Sequence, residues 1–572
     1  LSTATATIAL SMLDEARGSN DHAEWIDRGV RWLQENQNED GGWGDTDRSH
    51  SNISTTVLVW SALGRLDPNC EHLDRADAWL VEKAGSLDPD RLSWAIDRRY
   101  GTDRTFSVPI LMTALLCGRM GDPDKKKTWR RLRQLPFELA VLPQSFFRFV
   151  NMQVVSYALP ALIAIGLLRH RRGAVFNPLA RLIRNAATAR ALRRLEQIQP
   201  TTGGFLEATP LTSFVTMALV GSGLGDHRVV ERAEKFLVGS ARPDGSWPID
   251  TNLATWLSTL SVEALAAGGR IHEHLKETDR QKINAWLIGQ QHRKTHPYTG
   301  AAPGGWAWTD LDGGVPDADD TAGAVVALWH LGIHHPQTQR AAELGIYWLR
   351  RLTNRDGGIP TFCRGWGRLP FDRSSTDITA HALRAFNLWW QTLGEIDPDL
   401  RGVLDRGFGT DYLKKTQHID GYWLPLWFGN QHDPIDSNPT YGTASVCLSL
   451  PAGPMRDRGV RWLLDNQNTD GGWGGMRGAP STIEETSLAL AAVLADEPIP
   501  DEPITAALRW LIEQTDRGQH FEPAPIGFYF AKLWYYEKLY PVVFTVWAME
   551  KASLRMSKKN STRPVDRADD PD

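Results

Sequence analysis

Three aspartates, Asp317, Asp319 and Asp320, crowd into four residues of the segment GGWAWTDLDGGVPDADDTAGAVVAL at 304–328. The apolar run TAGAVVALWHLG that follows predicts a helix, and a single acid at its start would serve as a cap favoured by the helix dipole. Three acids exceed that need. Like charges this close cannot all ionise, so at least one pKa should rise and one carboxylic acid could stay neutral at pH 7. The cluster is a candidate proton donor, and a metal-binding aspartate cluster is the competing interpretation.

A histidine and a further acid follow in the segment SSTDITAHALRAF at 374–386. Asp377 and His381 are four residues apart, which places both on one face of a predicted helix. A lone histidine among apolar residues is more often a hydrogen-bonded core residue than a catalytic one. A cationic His381 beside the aspartates, however, would make the proton on the reactive carboxyl a stronger acid.

A repeated helix pair must position these groups. RGVRWLQENQNEDGGWG at 28–44 and RGVRWLLDNQNTDGGWG at 458–474 agree at 14 of 17 positions, and weaker copies lie between them. Each copy begins as an amphipathic helix, which Asp-Gly-Gly should end with a left-handed glycine cap, and a second apolar helix follows. Helix pairs of this kind close into α/α barrels or stack as a solenoid. We interpret the repeated Trp and Gln as structural, with the indole packed and the amide bonded to the next helix.

Composition sets wider limits. A chain of 572 residues is too long for one ordinary core, and a net charge of −5 gives no reason to expect nucleic acid. Four cysteines without CxxC spacing predict a reducing compartment and neither a disulfide frame nor a zinc site. The opening LSTATATIALSML reads like the middle of a helix, so we expect the natural chain to start further upstream.

DADDTA at 317–322, His381 in DITAH, and the RG–WL–Q–DGGW repeats together resemble the class II terpene cyclases, most closely the squalene–hopene cyclases. The resemblance covers about residues 5–550. It implies an all-α fold of two α/α barrels, with an inserted barrel at 16–250 and a catalytic barrel at 251–552 that residues 1–15 complete. The polar composition of residues 553–572 predicts a disordered tail.

The same resemblance implies roles for individual residues. Asp319 would protonate a terminal double bond of squalene, Asp317 and Asp320 would support it, His381 would hydrogen-bond it, and Asp377 would lie nearby. The cation would then close rings to a hopane-type product. A double bond is a very weak base and needs a strong acid in a dry site. Since no diphosphate leaves, we expect no metal and no other cofactor.

Aromatic faces would stabilise the cationic intermediates. The resemblance assigns this role to six residues of the catalytic barrel: Trp256, Trp308, Phe362, Trp427, Tyr529 and Tyr536. For any one of them, core packing is an equally good interpretation.

Several positions depart from the family's pattern. Apolar ATATIALS and Leu58 stand where the family orders water with acids, Leu533 replaces a pocket Tyr, and Ile359 replaces a repeat Trp. These departures bear on how the cation ends, and hence on product and substrate. Another polyprene, a prenylated aromatic, or a non-catalytic isoprenoid-binding protein therefore stay open. A protein prenyltransferase subunit would need Asp, Cys and His zinc ligands that we do not find, and a glycosidase would need an open polar cleft.

Residues 146–168, FFRFVNMQVVSYALPALIAIGLL, form an apolar run that Arg148, Asn151, Gln153 and Pro160 interrupt. A transmembrane span is therefore disfavoured, and the segment 146–172 is predicted to dip into one leaflet with Arg169, Arg171 and Arg172 at the head groups. A buried helix is the alternative. The resemblance implies a monotopic protein, on the cytoplasmic face of a bacterial membrane, that forms a homodimer.

Overall fold

The computed structural model describes the whole chain except residues 102, 104, 151, 175–176, 333, 395–407, 495–498, 529–531 and 563–572. The described part is built from two arrays of α-helices. The first array contains α1 (Ser2–Arg17), α2 (Ala23–Glu35), α3 (Ile53–Leu66), α4 (His72–Ala84), α5 (Pro89–Tyr100), α6 (Ser107–Leu116), α7 (Gln144–Phe149), α8 (Val154–Tyr157), α9 (Leu159–Arg172), α10 (Pro178–Ile198), α11 (Thr209–Gly221) and α12 (Arg228–Gly239).

Inner helices of this array form a closed ring, because each packs on the next in the order α1, α3, α6, α9, α11 and then α1 again. The inner helices are buried over most of their length. All ten residues of α6 are buried, for example. The helices α2, α4, α5, α10 and α12 cover the ring from outside.

The second array is built in the same way. Its helices are α13 (Ala254–Ala266), α14 (Ile271–His274), α15 (Glu277–Gln290), α16 (Ala318–Gly332), α17 (Pro336–Leu352), α18 (Thr376–Gly394), α19 (Thr410–Thr416), α20 (Pro439–Ser449), α21 (Pro454–Asp465), α22 (Ile483–Val493), α23 (Asp501–Gln514) and α24 (Tyr540–Thr562). The inner ring runs α13, α16, α18, α20, α22, α24 and back to α13. The predicted all-α fold of two barrels is confirmed.

Short irregular elements lie at the ends of the barrels. β1 (Ile359–Pro360) pairs antiparallel with β2 (Ser374–Ser375), which leads directly into α18, and β3 (Gly527–Phe528) pairs antiparallel with β4 (Leu533–Tyr535). Among the described residues, 3₁₀ turns lie at Thr128–Arg131, Phe137–Val141 and Phe205–Glu207.

The repeated tryptophan ties the end of each outer helix to the start of an inner one. Trp43 Nε1 donates to Leu33 O at 2.7 Å, and its backbone N–H donates to Thr56 Oγ1 at 3.0 Å. Leu33 lies in the last turn of α2, where carbonyls lack helical partners. The repeated glutamine has a similar task, since Gln37 Nε2 donates to Gly41 O and to His72 O of α4.

The predicted glycine caps are wrong in position. α2 ends at Glu35, where the side-chain amide of Asn36 donates back to Trp32 O at 2.8 Å. Gly41 does have a positive φ of 89°, but it lies in the turn beyond the helix. A Cβ on it would come within 2.8 Å of Arg75 O, so the turn needs glycine for close packing against α4.

Two predicted boundaries also need correction. α1 packs mainly on α11, α2 and α3, and Thr3 Oγ1 accepts from Trp247 N, so residues 2–17 complete the first ring rather than the catalytic one. At the other end, α24 continues to Thr562, beyond the predicted start of a disordered tail at 553. Arg555 holds this last part because its guanidinium donates to Ile499 O and pairs with Asp501. Residues 563–572 lie outside the described chain.

The apolar run at 146–168 divides into two parts. Its second part is α9, an inner helix of the first ring, so the buried-helix alternative is correct there. The arginines predicted at lipid head groups instead bind backbone carbonyls: Arg169 binds Leu132 O, Arg171 binds Ser222 O and Arg172 binds Gly221 O. In the described part of the chain, no helix is both long and apolar enough to cross a membrane.

Candidate active site

The acid cluster lies at the N-terminus of α16, an inner helix of the second ring. The repeat fixes it there, because Thr321 Oγ1 accepts from Trp306 N at 3.0 Å and Ala318 N donates to Thr361 O at 2.8 Å. Asp317 caps the helix by accepting from Asp320 N at 2.9 Å. These contacts leave Asp319 at the wall of a cavity at this end of the barrel.

Asp317 and Asp320 are both buried and hydrogen-bonded to each other through their side chains. Burial raises the pKa of Asp317 to about 7 and raises the pKa of Asp320 well above its ordinary value. Such a pair holds a proton at neutral pH. The predicted rise of at least one pKa is confirmed, although burial contributes more to it than the crowding of charges.

Asp319 is bonded to a chain of charged residues that reaches across three inner helices. His381 Nδ1, on α18, is 2.7 Å from Asp319 Oδ1, and His381 Nε2 is 3.2 Å from Glu263 Oε1 on α13. Glu263 Oε2 accepts from Arg384 Nη1 at 2.5 Å. Burial alone would lower the pKa of His381, but its bonds to Asp319 and Glu263 outweigh burial and raise the pKa to about 9. His381 is therefore an imidazolium at neutral pH.

Asp377 lies one turn before His381 on α18. Ser375 Oγ donates to Asp377 Oδ1, and burial together with the nearby Asp319 raises the pKa of Asp377 to about 6. The structure thus brings Asp317, Asp319, Asp320, Asp377 and His381 together, as the sequence predicted.

The cavity in front of Asp319 has a volume of about 240 Å³. Eight aromatic side chains contribute to its wall: Trp256, Trp308, Phe362, Trp427, Phe428, Tyr535, Tyr536 and Tyr540. Three of these residues are joined by hydrogen bonds between their side chains. Trp256 Nε1 donates to Tyr540 Oη at 2.9 Å, and the Tyr535 and Tyr540 hydroxyls are 2.8 Å apart.

The six predicted aromatic residues have different outcomes. Trp256, Trp308, Phe362 and Trp427 all line the cavity. Tyr536 stands at its edge, where its hydroxyl donates to Asp47 and the Arg48 guanidinium covers its ring at 5.2 Å. A ring face already occupied by a cation is a poor partner for a second one. Tyr529 lies outside the described residues.

Sequence reasoning missed Glu263, Tyr535 and Tyr540. Glu263 lies in LSVEALAA, which has no motif, and a single acid inside an apolar helix was the only available signal. Tyr535 belongs to β4, whose period of two places it on the same side as Leu533. That alternation would have favoured Tyr535 over Tyr536 as the wall residue.

A second cavity of about 310 Å³ lies between the two barrels. Its wall is almost entirely apolar, with Phe106, Tyr157, Leu206, Phe214, Phe371 and Leu533 among its residues. Ile249 lines both cavities. Tyr157 packs on Phe362 with ring centroids 5.0 Å apart, so an aromatic wall separates the two spaces.

The competing metal interpretation receives no support from the geometry. Asp317 and Asp320 turn toward each other, and Asp319 turns toward His381. Across the residues described, no group of three or more His, Cys, Asp or Glu side chains is arranged to hold a metal ion.

Comparison with known families gives two matches along the chain. The model of the squalene–hopene cyclase C-terminal domain matches residues 252–554, and the model of the N-terminal domain matches residues 2–91. The C-terminal match contains the whole acid cluster, His381 and the aromatic wall.

Individual relatives are distant. A squalene–hopene cyclase of Bradyrhizobium diazoefficiens is 29% identical over 352 residues, which are 54% of this chain and 50% of that protein. A probable squalene–hopene cyclase of Sinorhizobium fredii is 24% identical over 590 residues, 91% of this chain and 88% of that protein. The chain thus spans only half the length of the first of these relatives.

Among solved structures, ent-copalyl diphosphate synthase from Streptomyces platensis superposes with a TM-score of 0.51 at 18% identity, covering 96% of this chain and 99% of that one. At this identity the likeness concerns the fold alone. It agrees with the pair of helical barrels described above.

Proposed function

The chain belongs to the squalene–hopene cyclase family, and we propose that it protonates a terminal double bond of squalene and cyclises it to a hopane-type triterpene. The observation that carries this proposal is the Asp319–His381 contact of 2.7 Å at the wall of an aromatic cavity. In this reaction a proton leaves the carboxyl of Asp319 for one alkene carbon, and the cation forms on the other.

His381 makes the carboxyl of Asp319 a stronger acid. Its Nδ1–H donates to Asp319 Oδ1, which leaves Oδ2 to carry the proton that is transferred. An imidazolium stabilises the carboxylate that remains after transfer, so the proton leaves more readily. Asp317 and Asp320 share a proton, which lowers their combined negative charge. They therefore attract the carbocation less strongly than two carboxylates would.

The aromatic wall suits the cation that follows. Faces of Trp and Tyr attract a positive charge without offering a nucleophile. The reaction ends when the final cation loses a proton, giving an alkene, or takes up a water molecule, giving an alcohol. Both endings give hopane-type products. The positions that depart from the family's pattern, Leu533 among them, bear on which ending occurs.

The lining of the two cavities favours a long neutral hydrocarbon. Among the described residues that line them, Arg242 is the one basic residue, and it is exposed. The apolar second cavity would accept the part of the polyprene that has not yet cyclised. A substrate spanning both cavities would have to displace the contact between Tyr157 and Phe362.

A prenyl diphosphate is the second candidate substrate, because a basic cluster lies near the apolar cavity. Lys83, Arg98, Arg99 and Lys532 surround an open depression of about 330 Å³ on the surface. Leu533, which follows Lys532, lines the apolar cavity. Such a cluster could hold a diphosphate while the prenyl chain enters.

We also propose that the protein binds one face of a membrane, in bacteria the cytoplasmic face. Seven exposed apolar side chains, which we call the apolar patch, lie on three elements: Leu139 and Val141 on the 3₁₀ turn that packs on α10, Phe146 and Phe149 on α7, and Leu179, Leu182 and Ile183 on α10. The Glu138–Arg184 ion pair joins its two halves. Single exposed apolar residues are ordinary, but a group of this kind marks a lipid or protein contact. Loss of vesicle binding in a Phe149→Ser, Leu182→Ser variant would support the lipid contact, and unchanged binding would refute it.

The enzymatic proposal is tested by incubating detergent-solubilised protein with squalene and analysing the extract by gas chromatography–mass spectrometry. We expect a pentacyclic product of unchanged mass, or of mass plus water, which disappears in Asp319→Asn. Parallel reactions with geranylgeranyl diphosphate test the second candidate. A folded protein that converts neither substrate nor any other polyprene would favour an isoprenoid-binding role instead.

A further inference from the structure

Glu263 is a charged residue in the middle of an apolar inner helix, and only 1% of its surface is exposed. Glutamates are almost never buried this completely unless they are paired. Both carboxylate oxygens are engaged: Oε1 faces His381 Nε2 at 3.2 Å, and Oε2 accepts from Arg384 Nη1 at 2.5 Å. The side chain thus occupies a built position behind the histidine that contacts the acid.

The ring of His381 is held between two carboxyl groups, with Asp319 at Nδ1 and Glu263 at Nε2. A neutral imidazole has one donor and one acceptor, whereas an imidazolium has two donors. With Glu263 ionised, Nε2 must carry a hydrogen in order to bond it. The other nitrogen then either donates to Asp319 or takes the proton from it, and the negative charge of Glu263 favours donation.

We propose that Glu263, anchored by Arg384, is a positioning residue that keeps His381 protonated on both nitrogens and so directs Nδ1–H toward Asp319. The inference rests on the proposed proton transfer from Asp319. It adds a residue that does not contact substrate and that controls the acid through the histidine.

The surrounding charges support an ionised Glu263. Burial opposes its charge, but Arg384 and His381 outweigh burial and lower its pKa overall. The Arg384 guanidinium also stacks on the Trp547 ring at 5.1 Å, which holds it in place. The titratable groups facing Glu263 and His381 from the packed helices are Asp319 and His330 on α16, Asp377 and Arg384 on α18, Tyr441 on α20 and Lys551 on α24.

Two of these neighbours cannot replace Arg384 as the permanent cation. Burial lowers the pKa of His330 to about 4, so it is neutral at pH 7. Burial also lowers the pKa of Lys551 to about 8, which leaves its charge dependent on pH. Arg384 is in direct contact with the Glu263 carboxylate, so the two residues act as a fixed pair.

Removing the charge of Glu263 should weaken the acid without removing it. In Glu263→Gln the amide can still bond His381, but it no longer stabilises the imidazolium. The neutral ring would then accept the proton of Asp319 and compete with the alkene for it. We expect turnover to fall roughly 10- to 100-fold while KM changes less than about twofold, since no substrate contact is lost.

The first measurement is the titration of His381 by NMR in protein carrying ¹³C-labelled histidine, with the His381→Gln spectrum used for assignment. In wild-type protein the ring should stay protonated up to about pH 9. In Glu263→Gln the midpoint should fall by at least about one pH unit. Glu263→Asp keeps the carboxylate charge, so its His381 midpoint should lie close to the wild-type value. Glu485→Gln, a buried glutamate on another inner helix, should leave the midpoint unchanged.

The pH profile of product formation gives the second measurement, and it should shift with the NMR midpoint. An unchanged His381 midpoint in Glu263→Gln would overturn the inference, whatever the activity. If Glu263→Gln does not fold, the His381 midpoint in Glu263→Asp decides. A midpoint close to that of wild type supports the inference, and a midpoint as low as that of a histidine without a carboxylate partner refutes it. A wild-type protein that makes no product from any polyprene contradicts the proposed function, while the NMR titration still decides the role of Glu263.

Discussion

Asp319–Asp320 and Glu484–Glu485 occupy the same place in two copies of the repeat. In one copy Thr321 Oγ1 accepts from Trp306 N at 3.0 Å, and in the other Thr486 Oγ1 accepts from Trp473 N at 2.9 Å. Each acidic pair therefore lies directly before the threonine that joins the repeat tryptophan to an inner helix. The backbone frame of the two sites is nearly the same.

The neighbours of the two pairs differ. Asp319 bonds to His381 and keeps 21% of its side chain exposed at the cavity wall. Glu485 Oε1 accepts from the amides of Asn430 and Asn438, and Glu484 Oε1 accepts from Ala524 N. The second pair holds two loops over the end of the barrel. The repeat therefore fixes where an acid stands, while the facing helices and loops decide whether it transfers a proton or joins loops.

The largest difference should appear in activity. Asp319→Asn removes the transferable proton and should lower turnover roughly 10³-fold or more. Glu484→Gln, at the same repeat position, should retain turnover within about threefold because Glu484 is not among the described residues that line the cavity in front of Asp319. Turnover with the same polyprene, normalised to folded protein by circular dichroism, measures both. Equal losses in the two variants would contradict the distinction between the pairs.

The histidine partner should account for the next largest effect. His381→Gln keeps a hydrogen bond to Asp319 but lacks the positive charge, so turnover should fall roughly 10²-fold. In wild-type protein the rate should decline as pH rises through about 9, because the imidazolium loses its proton there. A pH profile of turnover measures this, and the decline should be absent in His381→Gln. A decline that persists in the variant would assign it to another group.

The loop-holding pair should matter for stability. Glu485→Ala leaves the amides of Asn430 and Asn438 buried without their acceptor, which should cost about 2–4 kcal/mol of unfolding free energy. Glu485→Gln keeps a carbonyl for both amides and should cost less than about 1 kcal/mol. Urea titration of the two variants measures the difference. A Glu485→Ala protein as stable as Glu485→Gln would show that these bonds do not hold the loops.

The smallest effect concerns the dependence of stability on pH. Burial raises the pKa of Glu484 to about 8 and that of Glu485 to about 7. At intermediate pH the native state then binds more protons than the unfolded chain. The contribution of these two groups to folding stability is therefore complete below the ordinary glutamate pKa and is lost as pH rises toward 8. Thermal unfolding from pH 5 to 8 should show a declining Tm, and the decline should be shallower in Glu484→Gln. An identical slope in that variant would exclude Glu484 as a contributor.

The sequence predicted the parts of this architecture that recur or are local. The repeats predicted two rings of paired helices, and DADD with Asp377 and His381 indicated the acid site. Glu263 escaped because its pairing with His381 and Arg384 depends on two distant helices meeting. α1 was assigned to the wrong ring because an apolar helix carries no signal for its partner. Arg169, Arg171 and Arg172 looked like a lipid-facing cluster, yet unpaired helix-end carbonyls bind them.

The most direct test of the proposed mechanism traces the source of the proton that starts cyclisation. Wild-type protein equilibrated in D₂O should carry deuterium on Asp319, and each cyclised product should gain one carbon-bound deuterium that survives extraction into ordinary water. Mass spectrometry of the product, with Asp319→Asn as the blank, measures it. A product that forms in D₂O without this mass increase would show that cyclisation does not begin with protonation, and the central claim would be wrong.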